Sequence, residues 1–158
     1  LFSSRNLQQL IMVMGNQKSL DGIEKSEKLQ ILYLYYARSL QDISALEKVK
    51  KTLKVLCLDH CPKIEDYSVL EKMENLQTLM IYGNHKISDI QFIRKINSLK
   101  RFRFSVNILD GDLSPCLKLQ EATSMTNRKH YNLKDEELPK NYDCPFGNEG
   151  IEEWMLYW

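Results

Sequence analysis

The chain has 158 residues, 22 of them basic and 21 acidic, for a formal net charge of +1. That balance excludes a general electrostatic pull toward nucleic acid or an anionic membrane surface. Apolar runs extend only a few residues, far short of a membrane-spanning helix, and the length is that of one domain.

From the amino terminus onward an apolar phrase recurs. Leu7-x-x-Leu10-x-Met12 is followed by Leu29-x-x-Leu32-x-Leu34, Leu53-x-x-Leu56-x-Leu58, Leu76-x-x-Leu79-x-Ile81 and Leu99-x-x-Phe102-x-Phe104. The starting leucines are 22, 24, 23 and 23 residues apart. Apolar side chains at relative positions 1, 4 and 6 of a fixed period in the twenties predict stacked units that bury their apolar faces only against one another. Within each unit the phrase reads as a strand. Positions 12, 15, 18 and 21 are apolar too, as in Ile87, Ile90, Ile93 and Ile96. A spacing of three predicts a 3-10 or short helical return along the outer face. Position 9 holds Cys61, Asn84 and Asn107, with Asn127 in a last unit starting at Leu119. A buried Asn ladder is expected there, because the sharp turn leaves backbone groups in need of partners.

Residues 1–28 read as an irregular first unit and 29–98 as three clean ones. Beyond Leu99 the pattern decays: Asp110-Gly111-Asp112 reads as a turn, Pro115 interrupts any helix, and Ala122 and Ser124 stand where large apolar residues belong. The domain reading is a solenoid of five to six repeats over 1–127, followed by a capping segment over 128–158. That segment holds Tyr131, Leu133, Leu138, Tyr142 and Phe146 and closes on Trp154-Met155-Leu156-Tyr157-Trp158. A cap is expected because an open strand edge invites aggregation. The alternative is a tail that docks another chain through Trp154 and Trp158. The chain opens Leu1-Phe2-Ser3-Ser4 without an initiator methionine, which reads as processed or truncated, so a missing leader excludes nothing.

These motifs resemble the leucine-rich-repeat family, and Ile87-Ser88-Asp89-Ile90 with Ile93 and Ile96 is similar to its short-repeat, internalin-like class. The resemblance covers roughly 7–127. It implies an α/β solenoid with a curved parallel sheet on the concave side and 3-10 or short helices on the convex side.

If positions 4 and 6 point inward, positions 3, 5 and 7 face the concavity. Position 3 then holds Gln9, Ile31, Val55, Thr78, Arg101 and Glu121, and position 5 holds Ile11, Tyr33, Cys57, Met80, Arg103 and Thr123. Position 7 adds Val13, Tyr35, Asp59 and Tyr82, and position 8 adds Met14, Tyr36 and His60. Tyr, Met and Arg are enriched at protein interfaces, and a contiguous exposed apolar patch marks one. Tyr33, Tyr35, Tyr36, Asp59, His60, Met80, Tyr82, Arg101 and Arg103 are therefore the candidate protein-binding residues. The bland alternatives are cross-strand packing of the aromatics and neutralisation of the arginines by Glu121 or the acidic tail.

Catalysis is not expected. Asp59-His60-Cys61 would diverge on a strand and turn, and a metal site from Cys57, Asp59 and His85 has no recognised spacing. No Gly-rich phosphate loop, HExxH or GxSxG occurs, and no cofactor is implied. Cys57, Cys61, Cys116 and Cys144 show no CxxC pair and read as free thiols, which favours a reducing, cytoplasmic setting. The expectation is a non-enzymatic module, bacterial and monomeric alone, gripping a protein partner with an acidic and apolar surface. An inhibitor, immunity or regulatory protein would fit. So would the sensing or targeting domain of a larger effector or enzyme. Neither nucleic acid nor membrane is an expected partner.

Overall fold

The computed structural model describes residues 4–141; Cys144, Trp154 and Trp158 lie outside the described residues. Each repeat opens with a strand. β1 (Gln9–Val13), β2 (Ile31–Tyr35), β3 (Val55–Asp59), β4 (Thr78–Tyr82), β6 (Arg101–Phe104) and β8 (Glu121–Ser124) form one parallel six-stranded sheet in chain order. The register follows the leucine phrase: Gln9, Ile31, Val55, Thr78, Arg101 and Glu121 are successive partners, as are Ile11, Tyr33, Cys57, Met80, Arg103 and Thr123. With a side-chain period of two, Leu32, Leu34, Leu56, Leu58, Leu79, Ile81, Phe102 and Phe104 all turn to one face, where their exposure is zero. Burying each such side chain is worth about 2 kcal/mol.

The chain returns through 3-10 segments, among them Ser44–Val49, Ser68–Lys72, Gln91–Lys95 and Ser114–Lys118. No α-helix occurs among the described residues. With three residues per turn, apolar positions three apart all face the sheet, and Ile87, Ile90, Ile93 and Ile96 are buried accordingly. An aspartate starts each return. Asp42, Asp66, Asp89 and Asp112 each accept the backbone N–H two residues on, at 2.7, 2.8, 2.9 and 2.9 Å. On and beside the returns, Lys72–Glu47, Lys95–Glu71 and Lys50–Glu74 pairs at 2.8–2.9 Å tie neighbouring repeats together.

The expected Asn ladder does not form. Asn84 and Asn127 are exposed and Asn107 is half-buried. A second, two-stranded parallel sheet takes over its task, pairing β5 (Lys86–Ile87) with β7 (Asn107–Ile108). The turn N–H groups of Asn107 and Leu109 thereby donate to His85 and Ile87 carbonyls at 2.9 Å, and a side-chain ladder is not needed.

At the carboxyl-terminal edge, residues 128–141 pack on the last repeat. Leu138 is buried, Tyr131 stacks edge-on against Phe104, and the Tyr131 hydroxyl donates to Val106 O. The edge of β8 is covered by antiparallel backbone pairing: Ala122 N–H donates to Pro139 O and Asn141 N–H to Gln120 O.

Candidate functional site

On the sheet face opposite the core, Tyr33, Val55, Cys57 and Met80 form a second apolar cluster, with Ile31, Tyr35 and Tyr82 packed around it. The Tyr33 and Tyr35 rings stack at 6.0 Å, nearly parallel. Met80 is only 4% exposed, flanked in register by Cys57 and Arg103, so it supports the face and is not the accessible contact expected from its position. Tyr33 is buried likewise, while Tyr35 and Tyr82 are half-buried. Burial pushes the Tyr33 and Tyr35 hydroxyls up to about 12 and raises that of Tyr82 as well, so all three are neutral donors at physiological pH.

Accessible apolar surface lies toward the first strand. Ile11, Val13 and Met14 are 43%, 57% and 73% exposed, and Tyr36 is 38% exposed. Ile11, Val13 and Met14 fall at the concave-face positions 5, 7 and 8 but in an irregular repeat, which is why their weight was not legible in the pattern.

The rim beyond the strands carries backbone strain. Met14, Tyr36 and His60 adopt φ of 56°, 56° and 53°, where the fourth repeat places Gly83 at φ 130°. Their N–H groups donate to Tyr35, Asp59 and Tyr82 carbonyls of the next strand at 2.8–2.9 Å, which holds the chain there. The left-handed region costs a residue with a β-carbon roughly 1 kcal/mol. These side chains are thus kept where glycine would fit at lower cost. Tyr36 stacks on His60 at 4.7 Å, Arg38 sits 5.8 Å over the Tyr36 ring, and His60 Nδ1 hydrogen-bonds Asp59 Oδ1. His85, beside Gly83, is held below the ordinary imidazole value by burial and then by His60.

Arg101 and Arg103 do not stand free on the face. Glu121 receives Arg103 Nη2 at 2.7 Å and Arg103 Nε at 2.8 Å, and lies 3.4 Å from Arg101 Nε. The carboxylate side chain is 2% exposed and that of Arg101 10%. Glu121 is Arg101's register partner and Arg103's diagonal neighbour, so the sheet itself brings the three together.

No nucleophile–base pair assembles at Asp59-His60-Cys61. The Cys61 thiol points to Leu34 O at 3.7 Å and Asp59 O at 3.5 Å, and burial pushes it up to about 11. Cys57, Cys61 and Cys116 are free and buried. Among the described residues no group of His, Cys, Asp or Glu is placed to hold a metal ion. His130 and His85 stand apart, His130 Nε2 donating to Ile108 O at 2.9 Å.

A strand, a turn and a 3-10 return repeated on a 22–24-residue period define a leucine-rich-repeat solenoid. The family model for leucine-rich repeats, two copies, matches residues 51–95. Among solved structures the chain is similar to an internalin (InlF) from Listeria monocytogenes, at 18% identity and a TM-score of 0.24. The match covers 78% of this chain and 62% of the length of that one, and at those values says nothing about function. No curated protein matches the chain. The fold is a typically non-catalytic interaction scaffold. No helix among the described residues is long and apolar enough to cross a membrane.

Proposed function

We propose that the chain is a protein-binding module whose concave face, from β1 to β4, receives a partner with apolar and acidic groups. The carrying observation is the continuous surface from exposed Ile11, Val13, Met14 and Tyr36 to half-buried Tyr35 and Tyr82, backed by the packed Tyr33–Cys57–Met80 cluster. A rigid preformed face loses little entropy on binding, which supports an inhibitory, immunity-type or regulatory role for a monomer. Tyr35, Tyr36 and Tyr82 supply anchors, and Asp59 with His60 a polar rim. Arg101 and Arg103 contribute structure first and charge second, because the Glu121 carboxylate lies against both guanidinium groups. Three free buried thiols favour action in the cytoplasm. The proposed limits are a solenoid over 1–127 and a cap over 128–158.

The test is affinity capture with wild type, Val13→Glu/Tyr36→Ala and Tyr35→Ala/Tyr82→Ala, each checked for an unchanged thermal transition. Both variants should lose the wild-type partner by tenfold or more, about 1.4 kcal/mol. Equal recovery of the same partner by all three would overturn the reading.

A further inference from the structure

The turns that follow β2, β3 and β4 share a sign. Residues 36–39, 60–63 and 83–86 hold Arg38, Lys63 and Lys86 and no aspartate or glutamate. All three cations are exposed, and none has an ion pair among the described residues. Other cations of the repeats are spoken for. Lys50, Lys72 and Lys95 each have a glutamate at 2.8–2.9 Å, and Arg103 has Glu121 at 2.7 Å. The row stops at the fifth repeat, where Asn107 is the register partner of Lys86. It therefore runs along the same three repeats that carry Tyr35, Tyr36 and Tyr82.

We propose that the rim of Arg38, Lys63 and Lys86 binds an acidic segment of the protein partner. That segment is an extended peptide whose carboxylates meet these cations and whose apolar side chains lie on Tyr35, Tyr36 and Tyr82. The proposal rests on the binding reading above, and it assigns acid recognition to the rim in place of Arg101 and Arg103.

The rim is built to meet such a chain. The Arg38 guanidinium sits 5.8 Å over the Tyr36 ring, which stacks on His60, so charge and aromatic surface are presented together. Tyr36 and His60 hold those places from left-handed backbone. Three adjacent strands are two spacings of about 4.8 Å apart, roughly 10 Å in all. An extended peptide of about four residues covers that distance at about 3.3 Å each, and long lysine side chains take up the remaining mismatch. The sign of the surface limits the occupant. Immediately outward of the rim stand Asp42, Glu65, Asp66 and Asp89, and inward of it the face is apolar. A uniformly charged strand such as nucleic acid would meet those carboxylates, whereas a peptide that mixes acidic and apolar side chains matches both borders.

The test selects phage-displayed random peptides on the immobilised wild-type chain and on Arg38→Glu/Lys63→Glu/Lys86→Glu. Lys25→Glu/Lys28→Glu/Lys51→Glu, at exposed positions away from the rim, is the control of equal net charge. All are checked for an unchanged thermal transition. Wild type and control should enrich peptides in which carboxylates accompany aromatic or aliphatic residues. The rim reversal should enrich lysine and arginine instead, and should bind the labelled wild-type peptide at least about tenfold more weakly. The neutral variant Arg38→Gln/Lys63→Gln/Lys86→Gln should weaken that peptide about threefold or more, which keeps the test decisive if the reversal misfolds. An acid-free consensus would overturn the proposal, as would an acidic one that ignores the rim variants or responds equally to the control. A labelled single-stranded oligonucleotide held more tightly than the peptide, and released by the rim reversal, would also overturn it. Peptides lost on Tyr35→Ala/Tyr82→Ala but indifferent to the rim variants would break this proposal and leave the binding reading standing. No enrichment on wild type, or peptides indifferent to every variant, would break both.

Discussion

The two halves of the concave face treat the same six-stranded sheet differently. Around β1 to β4 the outward columns are apolar and aromatic, exposed at Ile11, Val13 and Met14, with side chains kept at the strained rim positions of Met14, Tyr36 and His60. Around β6 and β8 the same columns carry Arg101, Arg103 and Glu121, which satisfy one another, and the strand edge is covered by Pro139 to Asn141. One half leaves apolar side chains exposed and the other is closed on itself. Charge on a sheet face therefore points to a partner only after its own cross-strand neighbours have been counted.

The sharpest way to break that contrast is Glu121→Gln. Removing the carboxylate charge takes the anionic acceptor from both Arg103 contacts in a nearly buried network, and urea unfolding should show a loss of about 3 kcal/mol or more. A loss under about 1 kcal/mol would mean that the closed half is not held by this network. Gly83→Ala comes next. At φ 130° an added β-carbon is strained and would sit 3.0 Å from His85 Nδ1, so a loss of about 1–3 kcal/mol is expected in the same assay. Its counterpart Tyr36→Gly relieves a left-handed position and should change stability by less than about 1 kcal/mol while weakening partner capture. That opposition separates a side chain kept for binding from one kept for folding.

Asp112→Ala should cost about 1 kcal/mol, since its carboxylate starts a 3-10 return and also holds Gln91 and Asn132. The bond networks with Ser114 hold Asp112 down from 3.8 to about 2. Its contribution is therefore complete above about pH 4 and is lost as pH falls toward 2, and an acid titration of stability should flatten there in the variant. The smallest effect belongs to His85. Its folded value is depressed, so stability is intact above about pH 6.5, and below it the unfolded chain takes up the proton first. Thermal melts should decline from pH 7 to 5.5, and His85→Gln should reduce that slope.

Much of the site was legible because register in a period-two strand is rigid. The columns read from the leucine spacing are the pairing partners observed from Gln9 through Glu121. Exposure within a column was less legible. Tyr33, Cys57 and Met80 share a column with Ile11, yet only Ile11 is open, since it lies on the edge strand and they lie inside the sheet. The Asn ladder failed for a related reason. Position 9 predicts a need for backbone partners, and β5 with β7 met that need by a route the repeat pattern does not mark.

The sequence by itself determined the repeat length, the buried face and the order of the columns, because an apolar side chain every two or three residues admits only one way to hide them all. Only the tertiary structure decided which outward residues meet water, that Glu121 serves two arginines at once, and that Tyr36 and His60 stack from left-handed backbone. Those outcomes depend on neighbours some twenty residues away in the chain, brought within a few ångströms by stacking.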